Sequence, residues 1–321
     1  MRIICHPSND VYFHLAAEAY LLEHSTEDIT LLWQSHNAVV CGKHQVVLKE
    51  VDYPYCKQHQ VHLARRVSGG GTVFHDEGNL CFSFIKGYQD RQQAVDFQSH
   101  TQPLVDLLIS MGVPAEHSGR NDILASGLKI SGNAEHLNQR QKKVLHHGTL
   151  LFNSDLENLG RAIHGHVSSY SHHGVESVRS KVANISRFLK NPMSLEHFKD
   201  LIAEHLLDYF ANSRQDVFST EELTQINHLK DTQFKQDDWI FGYGPRYSFT
   251  RVCNTPAGTL GYYLAVEKGV VQEARLTLNQ VLLEAVSEEL RGACHHAPDW
   301  NNISLLLPPG IPLEIFEENL Y

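Results

Sequence analysis

Three consecutive glycines at positions 69–71 constrain this chain more than any other feature. They follow Arg65 and Arg66, and they stand between two apolar segments, 61–64 and 79–84, whose composition is typical of β-strands. Glycine has no Cβ, so the backbone N–H groups of such a turn stay accessible and can form an anion-binding nest. Two guanidinium groups would add forked positive charge beside it. We expect an anion-binding turn, and a tight hairpin with solvated arginines is the alternative for the glycines alone.

Three more polar motifs follow the glycines in order. Residues 119–123 read GRNDI, residues 127–134 read GLKISGNA, and residues 146–151 read HHGTLL. Together with RRVSGGGTVFHD at 65–76, they closely resemble the lipoate–protein ligase family. The resemblance extends to FHLAAE at 13–18 and VESVRSKV at 175–182, and more loosely to the rest of the chain.

The resemblance implies an α+β fold. Its catalytic domain would have mixed and antiparallel sheets flanked by helices, as in class II synthetases and biotin ligases, followed by a small α+β C-terminal domain. Gly242, Gly244 and Pro245 are typical of a linker. We therefore expect a catalytic domain over 1–241 and an accessory domain over 248–321.

The sequence has the composition of a globular protein, with 42% hydrophobic and 20% charged residues. It contains no apolar run of about 18 residues and no signal-peptide core, so we expect a cytoplasmic protein without a membrane segment. A net charge of -10 argues against general nucleic-acid binding. A local basic pocket formed by Arg65, Arg66, Arg120 and Lys129 remains compatible with that charge.

The six cysteines, at positions 5, 41, 56, 81, 253 and 294, lack metal-binding spacing. We expect free thiols in a reducing compartment. There are 22 histidines, and His164, His166, His172 and His173 lie in a stretch rich in glycine and serine. We interpret that stretch as a polar loop rather than a metal site.

Periodicity and capping residues predict the main elements. The expected helices are 11–22 capped by Asn9, 91–111 with Pro103 inside it, 155–163 opened by Ser154, 195–210 capped by Ser194, one capped by Thr220, and 276–292. The expected strands are 29–33 paired with 38–41, a hairpin over 122–132 that turns at Ser126-Gly127, 144–152, and several within 248–271.

The chemistry that the resemblance implies is adenylation of a carboxylate followed by transfer to an amine. ATP and lipoate would give lipoyl-AMP, which would acylate a lysine of lipoyl domains, those of 2-oxoacid dehydrogenase E2 subunits and of the glycine cleavage H protein. Bringing a carboxylate onto a phosphate requires fixed cations and N–H donors more than acid–base groups. Lys129, in the GLKISG motif, is the expected catalytic residue, and the enzyme is expected to be a monomer.

The resemblance also implies a set of binding residues. These are Arg66, Ser68, Gly70, Gly71, Thr72, Val73, Phe74, His75, Asn79, Asn121, Asp122, Lys129, Gly132 and His147. Asp122 is the candidate for Mg²⁺, which prefers carboxylates and phosphates. Asn121 and Asp122 are alternatively turn formers, and His75 and His147 alternatively buried structural groups.

Two other functions remain open from sequence. A transferase of the same fold would take octanoyl or lipoyl groups from a carrier without ATP, and a non-catalytic protein would only bind lipoate or a lipoyl domain. Transferases that form an acyl-enzyme need a nucleophilic cysteine. No cysteine occurs between Cys81 and Cys253, which disfavours that mechanism here.

Overall fold

A computed structural model describes residues 1–90, 95–119, 121–164, 167–177 and 180–321. The strands are β1 Arg2–Cys5, β2 Ile29–Trp33, β3 Ala38–Cys41, β4 His62–Arg65, β5 Val73–His75, β6 Asn79–Gly87, β7 Ala115–His117, β8 Asp122–Ala125, β9 Leu128–Asn138, β10 Lys143–Leu151, β11 Tyr170–His172, β12 Arg214–Asp216, β13 Tyr247–Thr255, β14 Gly258–Glu267, β15 Val270–Leu278 and β16 Val281–Leu282.

The α-helices connect some of these strands or follow the last of them. They are α1 Val11–His24, α2 Val47–Glu50, α3 Tyr53–Gln58, α4 Phe97–Ser110, α5 Leu156–Ala162, α6 Leu195–Tyr209, α7 Thr220–Leu229, α8 Glu284–Leu290, α9 Trp300–Leu306 and α10 Leu313–Glu318. No helix in the described part of the chain is long and apolar enough to cross a membrane.

An eight-stranded sheet forms the centre of the molecule, in the order β12-β1-β2-β6-β10-β9-β8-β7. The pairs β12–β1 and β1–β2 are parallel and the other pairs are antiparallel. Helix α1 packs with α7 on one face, through residues such as Leu15 and Ile226. Helices α4 and α6 cover the other face, through residues such as Leu104 and Phe198. The expected α+β class, with mixed sheets flanked by helices, is confirmed.

A second sheet of three strands, in the order β4-β3-β5, carries the glycine motif. The prediction that 38–41 pairs with 29–33 is wrong, because β3 pairs with β4 and β5, whereas β2 pairs with β1 and β6. The alternative interpretation of the glycines, a tight hairpin, is also wrong. The chain leaves β4, forms β5 after the glycines, and only then enters β6 in the central sheet.

Several helices begin at a different residue from the one predicted. Asp10, Asp155 and Ser219 are the N-caps of α1, α5 and α7, in place of Asn9, Ser154 and Thr220. Each accepts hydrogen bonds from the first-turn N–H groups that lack partners within the helix. Helix α4 begins at Phe97 after the cap Asp96 and continues through Pro103, while residues 91–94 lie outside the described part.

A five-stranded sheet, β11-β13-β14-β15-β16, dominates the C-terminal region. The predicted helix over 276–292 is wrong at its start, because strand β15 continues to Leu278 with Val271, Ala274 and Leu276 buried, and α8 begins at Glu284. Strand β11 belongs to this sheet although it precedes the expected linker. The division into 1–241 and 248–321 stays a prediction.

Candidate active site

The glycine motif forms a loop that Arg66 holds from inside. Its guanidinium donates to Ser68 Oγ at 2.9 Å, to the Val40 carbonyl at 3.1 Å, and to the carbonyls of Gly69 and Gly71 at 2.6 and 2.7 Å. Burial lowers the pKa of Arg66 to about 10, so the side chain remains charged at neutral pH. The loop is thus shaped around a buried positive charge.

Arg65, which we expected in the basic pocket, serves a different purpose. Its guanidinium is fully buried and donates to carbonyls in two segments, 42–45 and 239–240. All of its donors are therefore directed at backbone acceptors. Arg65 therefore connects residues 239–240, just before the expected linker, to the loop that follows β3. Arg120 lies outside the described residues.

The β8–β9 hairpin presents Lys129 to the pocket. As predicted, it turns at Ser126-Gly127, both of which have positive φ (50° and 75°). Lys129 Nζ lies 2.9 Å from Asp122 Oδ1, across the hairpin. The Lys129 backbone also exchanges hydrogen bonds with Lys181 and Ala183, both at 2.9 Å, which ties this strand to the segment after β11.

Two glycines give the site its space. A Cβ built on Gly132 would stand 2.9 Å from Lys129 Nζ, and one on Gly148 would stand 2.2 Å from Asn133 Oδ1. Real Cβ atoms do not approach other atoms so closely. Gly132 therefore allows the ammonium to lie flat against its own strand, and Gly148 allows Asn133 to reach the pocket.

A buried chain of polar groups connects helix α1 to the glycine loop. His147 joins Glu18 through Nδ1 at 2.9 Å and Ser68 through Nε2 at 2.6 Å, and Ser83 donates to Glu18 at 2.5 Å. Trp33 Nε1 in turn donates to Ser83 at 3.0 Å. Sequence reasoning assigned no role to Glu18. An acidic residue among the apolar positions of α1 is the signal that could have indicated one.

These elements enclose a cavity of about 400 Å³, called here the large cavity. Its inner wall is mostly apolar and aromatic, and the residues concerned are Leu15, Trp33, Val40, His75 and Cys81. Its lining as a whole brings together most of the residues that the resemblance assigned, namely Arg66, Gly70, Gly71, Thr72, Val73, His75, Asn121, Asp122, Lys129, Gly132 and His147.

A neighbouring space of about 270 Å³, the small cavity, lies on the other side of Lys129. Its lining is largely aliphatic and aromatic, and includes Val73, Phe74, Leu151, Leu159, Ile163 and Val182. Lys129, Thr72 and Thr149 line both cavities. A ligand with two parts could therefore occupy both spaces and pass beside the ammonium.

Two assigned residues lie outside both linings. Ser68 is buried beneath the loop, between Arg66 and His147. Asn79 is buried at the start of β6, where its amide donates to Cys81 Sγ at 3.2 Å. Both are positioned to support pocket residues rather than to touch a ligand.

The two buried titratable groups of the inner wall, His75 and Cys81, are uncharged. Burial lowers the pKa of His75 to about 3, so the imidazole is uncharged, and its Nδ1 contacts Ser35 Oγ at 3.1 Å. Burial also raises the pKa of the Cys81 thiol well above its usual value. A protonated thiol is a poor nucleophile, so Cys81 is unsuited to forming an acyl-enzyme.

The segment 175–177 covers the glycine loop, a feature that sequence reasoning missed. Ser177 Oγ accepts from the Thr72 backbone N–H at 2.8 Å and from Gln45 Nε2 at 3.1 Å, and it donates to Glu50. Lys49 pairs with Glu176 at 2.5 Å beside it. One N–H that we expected to face a ligand is therefore engaged by the protein itself.

The histidine-rich stretch is not simply the predicted polar loop, because His172 is the last residue of strand β11, which pairs with β13. His172 Nδ1 accepts from the Gly174 N–H at 2.8 Å. Within the described ranges, His164, His172 and His173 do not converge into a three-ligand group, and His166 lies outside them.

An open, mostly antiparallel sheet with helices on both faces, and with its pocket beside a glycine loop, defines a class II synthetase-like catalytic fold. Comparisons with known proteins give the family. Residues 10–207 match the model of the lipoyl protein ligase A/B catalytic domain. Lipoate–protein ligase 1 of Staphylococcus aureus is 34% identical over 271 residues, covering 83% of this chain and 81% of that protein. The chain belongs to the lipoyl protein ligase A/B family and is a ligase.

Solved structures show the same fold. A lipoate protein ligase from T. acidophilum with bound lipoic acid superposes with a TM-score of 0.64 at 23% identity, covering 75% of this chain and 99% of that one. Lipoate-protein ligase A bound with ATP also gives 0.64 at 23% identity, with 75% and 98% covered.

Proposed function

We propose that this protein is an ATP-dependent lipoate–protein ligase. In this proposal it converts lipoate and ATP to lipoyl-AMP and pyrophosphate, and then transfers the lipoyl group to a lysine of a carrier domain. The observation that carries the proposal is the position of Lys129, which lines both cavities. A carboxylate from one cavity and an α-phosphate from the other would meet at its ammonium.

The large cavity suits the acyl chain. Leu15, Trp33, Val40 and Cys81 offer an apolar lining, and the neutral His75 adds no charge. Burying an aliphatic chain and a dithiolane ring there removes apolar surface from water. The carboxylate end would point towards Arg66 and Lys129, the fixed positive charges of this wall.

The small cavity suits the adenine base. Val73 and Leu151 can sandwich a flat ring, and β5 is an outer strand of its sheet, so its backbone groups can pair with the edge of a base. The phosphates would then lie along the glycine loop. Asp122, a carboxylate beside this position, is the Mg²⁺ candidate, and that ion would neutralise phosphate charge when bound.

Lys129 would contribute by charge rather than by proton transfer. An ammonium placed between carboxylate and α-phosphate offsets the repulsion of the two anions as the bond forms. In the second step the same charge would stabilise the departing AMP. Asp122, at 2.9 Å, holds the ammonium in place before the substrates arrive.

Nucleotide binding in this proposal displaces Ser177. The Thr72 N–H now donates to Ser177, and a phosphate oxygen would replace that hydroxyl. Glu50, which accepts from Ser177, would repel a phosphate at this position, so the covering segment has to move for both reasons.

The carrier substrates in this proposal are the lipoyl domains of 2-oxoacid dehydrogenase E2 subunits and of the glycine cleavage H protein. We further propose a cytoplasmic monomer. These assignments rest on the family resemblance and on the lipoate–protein ligase name of the relative.

The test combines purified protein, ATP, Mg²⁺, lipoate and an apo lipoyl domain, followed by mass spectrometry of the carrier. We expect its mass to rise by one lipoyl group only when ATP is present. A parallel reaction omits ATP and offers a lipoyl or octanoyl carrier-protein donor. Equal modification in that reaction would contradict the proposal and favour the transferase, and absence of modification in both would favour a binding protein.

A further inference from the structure

A second cluster of chemically reactive side chains lies on the face of the sheet opposite the large cavity. Glu135 on β9 and His146 on β10 are direct cross-strand partners. His100, on helix α4, packs over them with its ring stacked on that of His146, 5.1 Å between centroids and 7° between planes. Because successive strand residues face opposite sides, His147 points to the large cavity and His146 to α4.

The three donor groups converge. His146 Nδ1 lies 2.9 Å and His100 Nδ1 lies 3.5 Å from Glu135 Oε1. One ligand atom from each residue lies within 4.8 Å of the others. Tetrahedral Zn²⁺, with bonds of about 2.0–2.1 Å to nitrogen, separates its ligand atoms by about 3.3 Å. The distance between His146 Nδ1 and Glu135 Oε1 is close to that of such a site.

The cluster is buried and incompletely satisfied. The side chains of His100, Glu135 and His146 are 7%, 5% and 0% exposed. Glu135 Oε2 and His146 Nε2 have no hydrogen-bond partner in the described part of the chain. Buried polar atoms are normally paired, so each of these two atoms requires an explanation.

No ion pair between described residues supplies a full positive charge to Glu135. Lys86, on neighbouring β6, instead has its ammonium over the rings of Phe84 and Phe210, at 5.3 and 4.5 Å. A carboxylate so deeply buried needs a nearby cation to stay ionised at low cost. A divalent metal would provide that charge, and the unpaired Glu135 Oε2 would be available to bind it as well.

The donor set indicates which metal. Two imidazole nitrogens and one carboxylate oxygen are ligands typical of Zn²⁺, whereas Mg²⁺ and Ca²⁺ prefer oxygen throughout. His100 Nδ1 also lies 2.7 Å from the Asp96 carbonyl. That contact engages Nδ1, so His100 would bind the metal through Nε2, and the Asp96 carbonyl would fix the orientation of the ring.

We propose that His100, Glu135 and His146 form a Zn²⁺ site that clamps helix α4 to the β9–β10 hairpin. The site is structural, and it does not depend on the proposed ligase activity. Its three ligands come from three separate elements, so their sequence spacing follows no known metal motif.

The test uses untagged protein, stripped with a chelator and dialysed. Zn²⁺ affinity is measured by titration against a competing chelator, and Co²⁺ is added separately to record its visible spectrum. We expect one tightly bound Zn²⁺ per chain and Co²⁺ bands of a four- or five-coordinate ion. Glu135→Gln keeps the side-chain size but removes the charge, and should weaken Zn²⁺ binding by at least about 100-fold. His100→Gln should do the same.

The control is His228→Gln, which removes an exposed histidine on α7. It should leave the tight site unchanged. Equal losses in His228→Gln and Glu135→Gln would show adventitious binding and overturn the proposal. So would wild-type protein that holds no stoichiometric Zn²⁺, or a Co²⁺ spectrum of an octahedral ion. These wild-type measurements decide the question even if both ligand variants fail to fold.

Discussion

At the scale of single residues, the site depends on how a few side chains are held before any substrate binds. Lys129 is fixed by Asp122 and by the absence of a side chain at Gly132. Arg66 is fixed by three carbonyls and a hydroxyl. Preorganised charges of this kind cost no reorganisation during the reaction, and for that reason they contribute more than mobile surface charges do.

Lys129 itself provides the first test at this scale. Lys129→Ala should fold and should lose on the order of 10²–10³ in the rate of adenylate formation, the usual effect of removing a preorganised group. Lys129→Arg should rescue poorly, because a broad planar guanidinium does not replace a compact ammonium. Pyrophosphate release and transfer from presynthesised lipoyl-AMP, timed separately, measure the two steps. Near wild-type rates for Lys129→Ala in both would reject the assignment.

Gly132→Ala tests the position of the ammonium rather than its presence. The new Cβ would stand 2.9 Å from Lys129 Nζ, which is the end of a flexible side chain and can move. We expect a folded protein whose rate falls by roughly 10²-fold, the effect of a small misplacement. Gly87→Ala is the matched control, since its Cβ would meet nothing within 4 Å. Equal effects of the two substitutions would contradict positioning by Gly132.

At the scale of elements, the segment that connects the two proposed domains makes closer contacts with the first of them than its glycines and proline suggest. Residues Asp238–Gly242 form a helical turn, and the buried Arg65 donates to the carbonyls of Trp239 and Ile240. A Cβ on Gly244 would lie 2.8 Å from the Gln45 carbonyl. We propose that the boundary falls after this anchored turn, at 243–247.

Limited proteolysis tests that boundary. Arg246 is exposed and lies just before β13. Trypsin should cut there first, because exposed connecting segments are preferred cleavage sites. The fragments should remain together on gel filtration, since β11 from the first fragment pairs with β13 from the second, and should separate in denaturant.

Arg246→Gln removes the expected cleavage site without altering either sheet. The intact chain of this variant should be cleaved more slowly by trypsin under the same conditions. A first cut elsewhere, for instance after Lys268 in the β14–β15 turn, would reject this boundary.

At the scale of the whole molecule, buried neutral histidines link stability to pH. Burial lowers the pKa of His75 to about 3, and of His14 and His295 to about 4, from 6.5. Unfolding exposes these rings, which then bind protons below pH 6.5. The unfolded state therefore gains protons relative to the folded state as pH falls, and the folded state loses stability.

The free energy of unfolding should reach its full value above pH 6.5 and should decrease as the pH is lowered from 6.5 to 4. Each such histidine contributes at most about 1.4 kcal/mol per pH unit. Denaturant titrations at several pH values measure this. His295→Gln, far from the site, should flatten the profile by up to that amount, and the exposed His228→Gln should not. Identical slopes for wild type and His295→Gln would refute the linkage.

Interactions between residues that are close in sequence determine many of the secondary-structure elements and motifs of this protein. Capping residues and the Ser126-Gly127 turn are read from neighbouring positions, so the hairpin that carries Lys129 and the starts of helices α1, α5, α6 and α7 were predictable within a few residues. The ordered motifs around the glycines, Asn121–Asp122 and Lys129 also indicated the family, and most of the residues assigned from them line the large cavity. These features depend on short-range sequence, which is why the sequence alone carries them.

Only the tertiary structure decided which groups meet across long separations. In the folded protein Arg65 does not line the pocket but donates to backbone carbonyls 174 and 175 residues later in the chain. Glu18 likewise contacts His147, a residue far from it in sequence. The tertiary structure also assigned β3 to a separate sheet and brought His100, Glu135 and His146 together. The physical reason is that sheet order and helix packing place residues by burial and by backbone pairing over the whole chain. Residue spacing does not encode those relationships.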